Sequence, residues 1–121
     1  MKIKKLLIER IEWREVPGWP KYEVSNTGKV RIAETGSKVA QWDHQAKGGV
    51  YKRVTLRDKG KRKNFRVHRL VAMAFLPNPD YLPEVDHLDH DTFNNHVSNL
   101  EWVRSSENLE RRRSDAGSIF D

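Results

Sequence analysis

The spacing of apolar residues changes once along the chain, near residue 67, and this change limits the possible folds. Before it, apolar and polar residues alternate in short runs that end in turn residues, which is typical of β-strands. After it, four apolar residues recur at the spacing of one helical face: Leu70, Val71, Ala74 and Phe75. The pattern therefore predicts an α+β fold, in which short strands precede a central helix.

The strand-like runs before the helix predict an N-terminal antiparallel β-sheet that packs with the helix. They are Glu12–Val16, Tyr22–Val24, Lys29–Ile32, Val39–Trp42, Val50–Leu56 and Asn64–Val67. Asp58 to Lys61 has the composition of a hairpin loop between the last two runs. Pro77 and Pro79 are expected to end the helix.

The rest of the chain predicts a β-hairpin followed by a helix. Val85–Leu88 and Leu100–Val103 are strand-like, and a polar stretch joins them. A final helix is expected to begin at Ser105 or Ser106, since serine caps helix starts well. We thus expect a β-rich region over residues 1–66, a hairpin-and-helix region over 67–113, and a frayed tail over 114–121.

The chain is basic and contains no cysteine. Its 121 residues suit one compact domain, and its formal charge of +6 suits a polyanionic partner such as nucleic acid, although many soluble proteins are basic for other reasons. The absence of cysteine excludes disulfides, thiolate zinc sites and a cysteine nucleophile. Any metal ion would therefore need His, Asp, Glu or Asn ligands, which suit a hard, oxygen-preferring ion.

No segment has the length of a membrane anchor or an export signal. A membrane span needs about 20 apolar residues, and the basic N-terminus is followed only by Leu6-Leu7-Ile8. A signal peptide would carry a longer apolar run. We therefore expect a cytoplasmic protein that is not secreted and has no membrane partner.

One set of residues has the chemistry of phosphodiester hydrolysis. Asp86 and His87 end a predicted strand, and Asn108 lies in the first turn of the predicted final helix. A hairpin folded against a helix can bring these positions around one ion. Imidazole, with an ordinary pKa near 6.5, can take a proton from water, and carboxylate and amide oxygens suit Mg²⁺.

Several short motifs resemble the HNH, or ββα-metal (His-Me finger), nuclease motif. They are His68-Arg69-Leu70-Val71-Ala72, Phe75-Leu76-Pro77-Asn78-Pro79, Asp86-His87, Asn99-Leu100-Glu101-Trp102-Val103 and Asn108. The segments Glu12–Trp19 and Tyr22–Val30 are similar to the nuclease-associated modular motif that precedes HNH in homing endonucleases of phages and introns. Together these similarities run from about residue 12 to residue 110.

The resemblance implies a metal-dependent endonuclease that cuts double-stranded DNA with one Mg²⁺ or Mn²⁺ per active site. It implies that His87 is the general base and that Asp86 and Asn108 bind the metal. Asn99 is then a structural residue that bonds the intervening loop and so holds the histidine. One such unit has one active centre, so a monomer would nick one strand and a dimer could cut both. Gene mobility is the role that the resemblance favours.

Basic residues around these motifs are candidates for DNA contacts. The expected DNA-binding residues are Lys59, Lys61, Arg62, Lys63, Arg66, His68, Arg69 and Arg111. A charged hairpin could lie along the phosphates, or it could be only a solvated tip. His68 could touch phosphate or support the site from behind.

Other interpretations of the same residues stay open at this point. His68, His90 and His96 could join His87 in a zinc cluster, although loop and supporting roles are favoured. The tryptophans could stack on bases, although packing is favoured for Trp19 and Trp102. The chain could also be a non-catalytic DNA-binding protein that retains the scaffold, or a zinc-binding adaptor.

One residue departs from the family pattern. Many relatives have glycine after the position of Asp89, whereas this chain has His90. Glycine often serves where the backbone needs a positive φ, which histidine tolerates less well. The loop could therefore differ locally, or His90 could add a contact.

Overall fold

The structure, a computed structural model, describes residues 9–105 and confirms the α+β fold class. The described strands are β1 (Trp13–Val16), β2 (Trp19–Ser25), β3 (Val30–Ile32), β4 (Trp42–Ala46), β5 (Gly49–Asp58), β6 (Lys61–Arg66), β7 (Glu84–His87) and β8 (Leu100–Val103). One α-helix, α1 (Val67–Phe75), stands between β6 and β7, and a 3₁₀ turn (Val97–Asn99) precedes β8. Of the predicted final helix only its possible first residue, Ser105, is described and it is helical. Asn108, Arg111 and the predicted tail lie outside the described residues.

The strands form three antiparallel sheets. β1, β2 and β3 make the first sheet, β4, β5 and β6 the second, and β7 and β8 the third. The β-rich N-terminal region thus contains two sheets, a division that the alternating pattern did not predict. Within the described part of the chain, no helix is long and apolar enough to cross a membrane.

The predicted strand at Val39–Trp42 is wrong, because the strand begins where that prediction ends. β4 starts at Trp42 and pairs with β5 through a tight turn that joins Ala46 to Gly49. Gly48 and Gly49 have φ values of 98° and 139°, which side chains rarely adopt. The glycine turn therefore sets the register of this hairpin, and Val39 instead packs half-buried against the core.

Helix α1 packs against all three sheets and forms the centre of the hydrophobic core. Val67, Leu70, Val71 and Ala72 are fully buried. They belong to one buried cluster with Val16, Tyr22, Val24, Val30, Val54, Leu56, Val85 and Leu100. Full burial of one aliphatic side chain contributes about 1.5–3 kcal/mol, so this cluster holds the sheets around the helix.

The predicted helical face and helix end agree with the structure. Leu70 and Val71 are fully buried, and Ala74 and Phe75 pack half-buried against the same cluster. The helix ends at Phe75, where the Leu76 N–H still bonds the Ala72 carbonyl at 2.9 Å. Pro77 follows directly and cannot continue the helix.

Candidate functional site

His87 lies at the end of β7 in a buried group of three aromatic rings. Its ring centroid is 4.6 Å from that of His68 and 6.1 Å from that of Tyr51, and the Tyr51 and His68 rings stack at 5.5 Å. His68 and His87 are each only 4% exposed. Three elements supply this group, because Tyr51 comes from β5, His68 from the start of α1 and His87 from β7.

A hydrogen bond fixes the His87 ring. Its Nε2 atom lies 2.8 Å from Oδ1 of Asn95, which is itself 6% exposed. Because an amide oxygen can only accept, Nε2 carries the hydrogen and donates it. The other ring nitrogen, Nδ1, then holds the free electron pair with which the ring can accept a proton.

His68 is uncharged at neutral pH. Burial is the largest cause that lowers the pKa of His68 to about 3, electrostatic interactions with His87, Arg66 and Arg69 lower it further, and a hydrogen bond to the Val85 backbone acts in the opposite direction. An imidazole with so low a pKa neither repels the His87 ring nor competes with it for protons. The position of His68 fits a supporting role behind His87.

The loop between β7 and β8 is held by the side chain of Asn99. Its Nδ2 donates to Asp89 Oδ1 at 2.8 Å and to the Asn94 carbonyl at 2.9 Å, while its Oδ1 accepts from the Asp89 N–H at 3.0 Å. The Asp89 side chain also accepts from Asn94, and these contacts, with those from the Asp91 backbone and Asn99, lower the pKa of Asp89. Asn99 therefore ties the two ends of the loop together.

His90 has a left-handed backbone conformation, as expected for a position where many relatives have glycine. Its φ is 66°, and its N–H bonds the His87 carbonyl at 2.9 Å. A non-glycine residue pays about 1–2 kcal/mol for this conformation. The loop keeps the turn that glycine would make more easily.

The described residues supply only part of the predicted metal site. Asp86 is half-buried on β7 directly opposite Glu101, on the strand face away from His87, because neighbouring strand residues point to opposite faces. Asn108 lies outside the described residues. Within residues 9–105 no group of three His, Asp or Glu side chains could hold a metal ion. The histidine zinc cluster is therefore wrong, since all four of its members lie in that range.

A polar cavity of about 250 Å³ opens beside the ring group. Tyr51, His68, Arg66 and Arg69 line it, together with Lys47, Pro83, Glu84 and Val85. The Arg66 guanidinium lies 4.4 Å from the Tyr51 ring centroid, and Arg69 donates to the Pro83 carbonyl at 2.9 Å. These contacts hold two arginines at the cavity.

One face of the second sheet carries a row of arginines. Directly opposed residues of β5 and β6 share a face, and the pairs Arg53–Arg66, Thr55–Asn64 and Arg57–Arg62 lie on the face opposite to buried Val54 and Leu56. We call the face formed by Arg53, Thr55, Arg57, Arg62, Asn64 and Arg66 the arginine face. Arg66, which belongs to this face, contacts the Tyr51 ring and so connects the arginine face to the ring group.

The predicted DNA-binding residues of the hairpin divide between the two faces of this sheet. Arg62 and Arg66 belong to the arginine face, whereas Lys63 is opposed to Leu56 and its ammonium lies 5.1 Å from the Phe65 ring centroid. Lys61 is opposed to Asp58, and Lys59 is in the turn. Successive residues of a strand point to opposite faces of the sheet. A continuous run of basic residues is therefore divided between the two faces.

Family models match most of the chain. A model described as HNH endonuclease matches residues 65–110, and a model of the NUMOD4 motif matches residues 12–57. Residues 65–110 thus match the HNH endonuclease family, and the region before them matches the NUMOD4 motif. The resemblance drawn from its motifs is therefore confirmed, and enzymes of this family depend on a divalent metal ion.

The HNH relatives include phage and viral proteins. The chain is 38% identical to DNA endonuclease I-HmuI of Bacillus phage SP01 over 105 residues, which are 86% of this chain and 59% of that protein. It is 38% identical to the uncharacterized HNH endonuclease L245 of Acanthamoeba polyphaga mimivirus over 97 residues, 80% of this chain and 28% of that protein. The chain thus spans less than two thirds of the length of these relatives.

A solved structure shares the HNH fold of this chain. It is described as DNA binding and cleavage by the HNH homing endonuclease I-HmuI, and it matches with a TM-score of 0.73 at 38% identity. The match covers 87% of this chain and 59% of that one.

Sequence reasoning missed two residues of the site: Tyr51, which belongs to the ring group, and Asn95, which bonds His87. Tyr51 lies in a predicted strand, but its neighbours come from α1 and β7 and depend on how three sheets pack. Asn95 lies in a polar loop where its contact with His87 has no periodic signal. Arg53 and Arg57 could have been found, because pairing β5 with β6 in register places them beside Arg66 and Arg62.

Proposed function

We propose that this chain is a metal-dependent DNA endonuclease that hydrolyses one strand of double-stranded DNA. The observation that carries the proposal is the buried His87, whose ring is fixed through Nε2 and whose Nδ1 is left as an acceptor. The match to the HNH family gives this histidine its expected chemistry. The phage relatives favour action in the cytoplasm of an infected or bacterial cell, with gene mobility as the role.

His87 acts as the general base for the attacking water. Its Nδ1 can take a proton as the water oxygen approaches phosphorus, because the hydrogen on Nε2 leaves Nδ1 with a free electron pair. The packed rings of His68 and Tyr51 limit rotation of the His87 ring, so the accepting nitrogen stays aimed in one direction. The expected products carry 5′-phosphate and 3′-hydroxyl ends.

Asp86 and Asn108 would hold the divalent ion, Mg²⁺ or Mn²⁺. Their carboxylate and amide oxygens are hard donors of the kind these ions prefer, and two protein ligands leave positions for water and phosphate. The ion, when bound, supplies charge stabilisation at the phosphoryl oxygen and the departing alkoxide. His87 is the proposed base and is not one of these ligands.

The arginine face and the neighbouring cavity would receive the DNA backbone. The face places Arg62 and Arg66 on one surface with Arg53 and Arg57, and Arg66 and Arg69 continue that charge to the cavity beside His87. Lys59, Lys61, Lys63 and Arg111 complete the set of proposed contacts, whereas the buried His68 is proposed to support His87. Because phosphate contacts release counterions, affinity should fall steeply as salt rises.

The proposal is tested by nicking of supercoiled plasmid. With Mg²⁺ or Mn²⁺ the chain should convert the plasmid to the open-circle form, and His87→Ala should abolish conversion while DNA binding persists. His90→Gly is the matched control, because it removes a histidine of the same loop at a site where φ is 66°, and it should nick at the normal rate. DNA binding without conversion in either metal would show a non-catalytic scaffold and contradict the proposal.

A further inference from the structure

The inference concerns how the N-terminal region acts on His87. We propose that Asn95 is a positioning residue for His87, and that the Ser25–Gly28 turn after β2 holds Asn95 in its place. The inference rests on the role proposed for His87 above. It assigns the N-terminal region a part in shaping the active site, in addition to the DNA contacts of its second sheet.

The first step is the bond between Asn95 and His87. Both side chains are at least nine-tenths buried, and Asn95 Oδ1 lies 2.8 Å from His87 Nε2. A buried ring N–H that lost this acceptor would be left without a hydrogen-bond partner, which is unfavourable. The bond therefore fixes both the direction of the ring and the nitrogen that carries the hydrogen, which leaves Nδ1 as the acceptor.

The second step is the close approach of Gly28 to Asn95. A Cβ atom added to Gly28 would lie 2.9 Å from Asn95 Cβ and 3.2 Å from the Asn95 carbonyl oxygen. The φ of Gly28 is 94°, which side chains rarely adopt. The turn thus touches the backbone and the Cβ of the residue whose side chain holds His87.

The third step is the rigidity of the turn itself. Ser25 is fully buried, and its Oγ accepts the N–H groups of Thr27 and Lys29 at 3.2 and 3.0 Å. The carbonyl of Asn26 accepts the Val97 N–H at 2.8 Å, two residues beyond Asn95. The turn therefore binds the segment around Asn95 on two sides, through a hydrogen bond and a steric contact.

The role of Asn95 differs from that of Asn99. Asn99 bonds Asp89 and the Asn94 carbonyl, so it organises the backbone of the loop. The Asn95 side chain instead reaches the His87 ring directly. Loss of Asn95 should therefore change the ring of His87 even where the loop keeps its path.

The tautomer of His87 tests the inference without DNA or metal. In ¹⁵N NMR of the metal-free full chain, the neutral ring of His87 should be in the Nε2–H form. Asn95→Ala should raise the share of the Nδ1–H form. Asn78→Ala is the matched control, since it removes an asparagine that bonds Leu82 in another loop, and it should leave the His87 signals in place. An Nδ1–H form in the unaltered chain would overturn the inference.

Two glycine variants test the part of the turn. Gly28→Ala forces Asn95 to shift, whereas Gly36→Ala adds a Cβ at a φ of 76° with nothing within 4 Å. Both variants carry the backbone penalty of a positive φ, so Gly36→Ala controls for that penalty. Only Gly28→Ala should change the His87 tautomer and ring shifts. Equal, unchanged His87 signals in the two variants would contradict the role of the turn.

The nicking rate separates this inference from the proposed function. Asn95→Ala and Gly28→Ala should each lower kcat by about 10–100-fold with little change in KM, as for other residues that orient a reacting group. If the unaltered chain fails to nick DNA, the proposed function fails while the tautomer data still decide the inference. If the variants shift the tautomer but nick at the normal rate, the positioning role is overturned.

Discussion

His68 is a histidine that stays neutral because it is buried and lies beside positively charged arginines. Its ring packs on those of Tyr51 and His87, and Arg66 and Arg69 line the same cavity. Burial is the largest cause of its lowered pKa, and the neighbouring cations add to it. A protonated ring here would face uncompensated charge, so the folded state excludes the proton.

Folding stability should therefore fall as His68 becomes protonated in the unfolded chain. The pKa of His68 is about 3 when folded, against an ordinary value of 6.5, so the unfolded chain takes the proton first and stability is lost as pH drops below 6.5. Between pH 7 and about pH 5 this one group should cost about 2 kcal/mol. Urea unfolding of the chain and of His68→Phe at both pH values measures the difference. Equal losses in both proteins would contradict the assignment.

The residues of the site differ in how far sequence could predict them. His87 follows from a short motif with fixed spacing, and the structure places it buried at the end of β7. The partner of its Nε2 does not follow, because Asn95 is one of several polar residues in a loop and its contact depends on the loop's path. The clash that Gly28 would make with Asn95 is set by residues 67 positions apart, beyond any local pattern.

The β5–β6 hairpin carries charged side chains on both of its faces, because successive residues of a strand point in opposite directions. Arg62 faces away from the core beside Arg57, whereas Lys63 is opposed to buried Leu56. Both side chains are exposed, so composition alone treats them alike. If the arginine face lies on DNA, the two charges should contribute unequally.

Arg62→Gln should weaken DNA binding and reduce its dependence on salt. Each phosphate contact contributes about 0.9 to the slope of log affinity against log salt concentration, so the slope should fall by about one. Lys63→Gln, which removes the same charge from the opposite face, should change the slope less. Titration of labelled duplex at several salt concentrations measures both variants. A larger effect for Lys63→Gln would show that the other face of the hairpin meets DNA.

Element boundaries were predictable where turn chemistry is local and not where glycine sets the register. β1, β5, β8 and α1 lie within a few residues of their predicted positions, because each has a clear period and a clear end. β4 does not, since its alternation is weak and the turn at Gly48 and Gly49 moves the strand toward the C-terminus. The separation into two N-terminal sheets depends on the long connection between Ile32 and Trp42, which has no periodic signal.

In the whole molecule, one hydrophobic cluster joins the two N-terminal sheets to the β7–β8 hairpin. Helix α1 contributes Leu70 and Val71, which meet Val24 of the first sheet, Val54 of the second and Leu100 of the third in a common buried cluster. Neither matched family region, 12–57 or 65–110, contains all of this cluster. The described residues therefore share one core. The division of the chain into residues 1–66, 67–113 and 114–121 stays a prediction.

The shared core predicts one cooperative unfolding transition that a change in α1 shifts as a whole. Leu70→Ala should lower the free energy of unfolding by about 2–5 kcal/mol, because Leu70 is fully buried and the truncation leaves a cavity. Met73→Ala is the control on the same helix, since Met73 is 37% exposed and should cost much less. Calorimetry combined with far-ultraviolet circular dichroism would follow both variants. Two transitions, of which Leu70→Ala moves only one, would show that the N-terminal sheets and the later hairpin unfold independently, and the coupling of Gly28 to Asn95 would then act across a boundary between separate folding units.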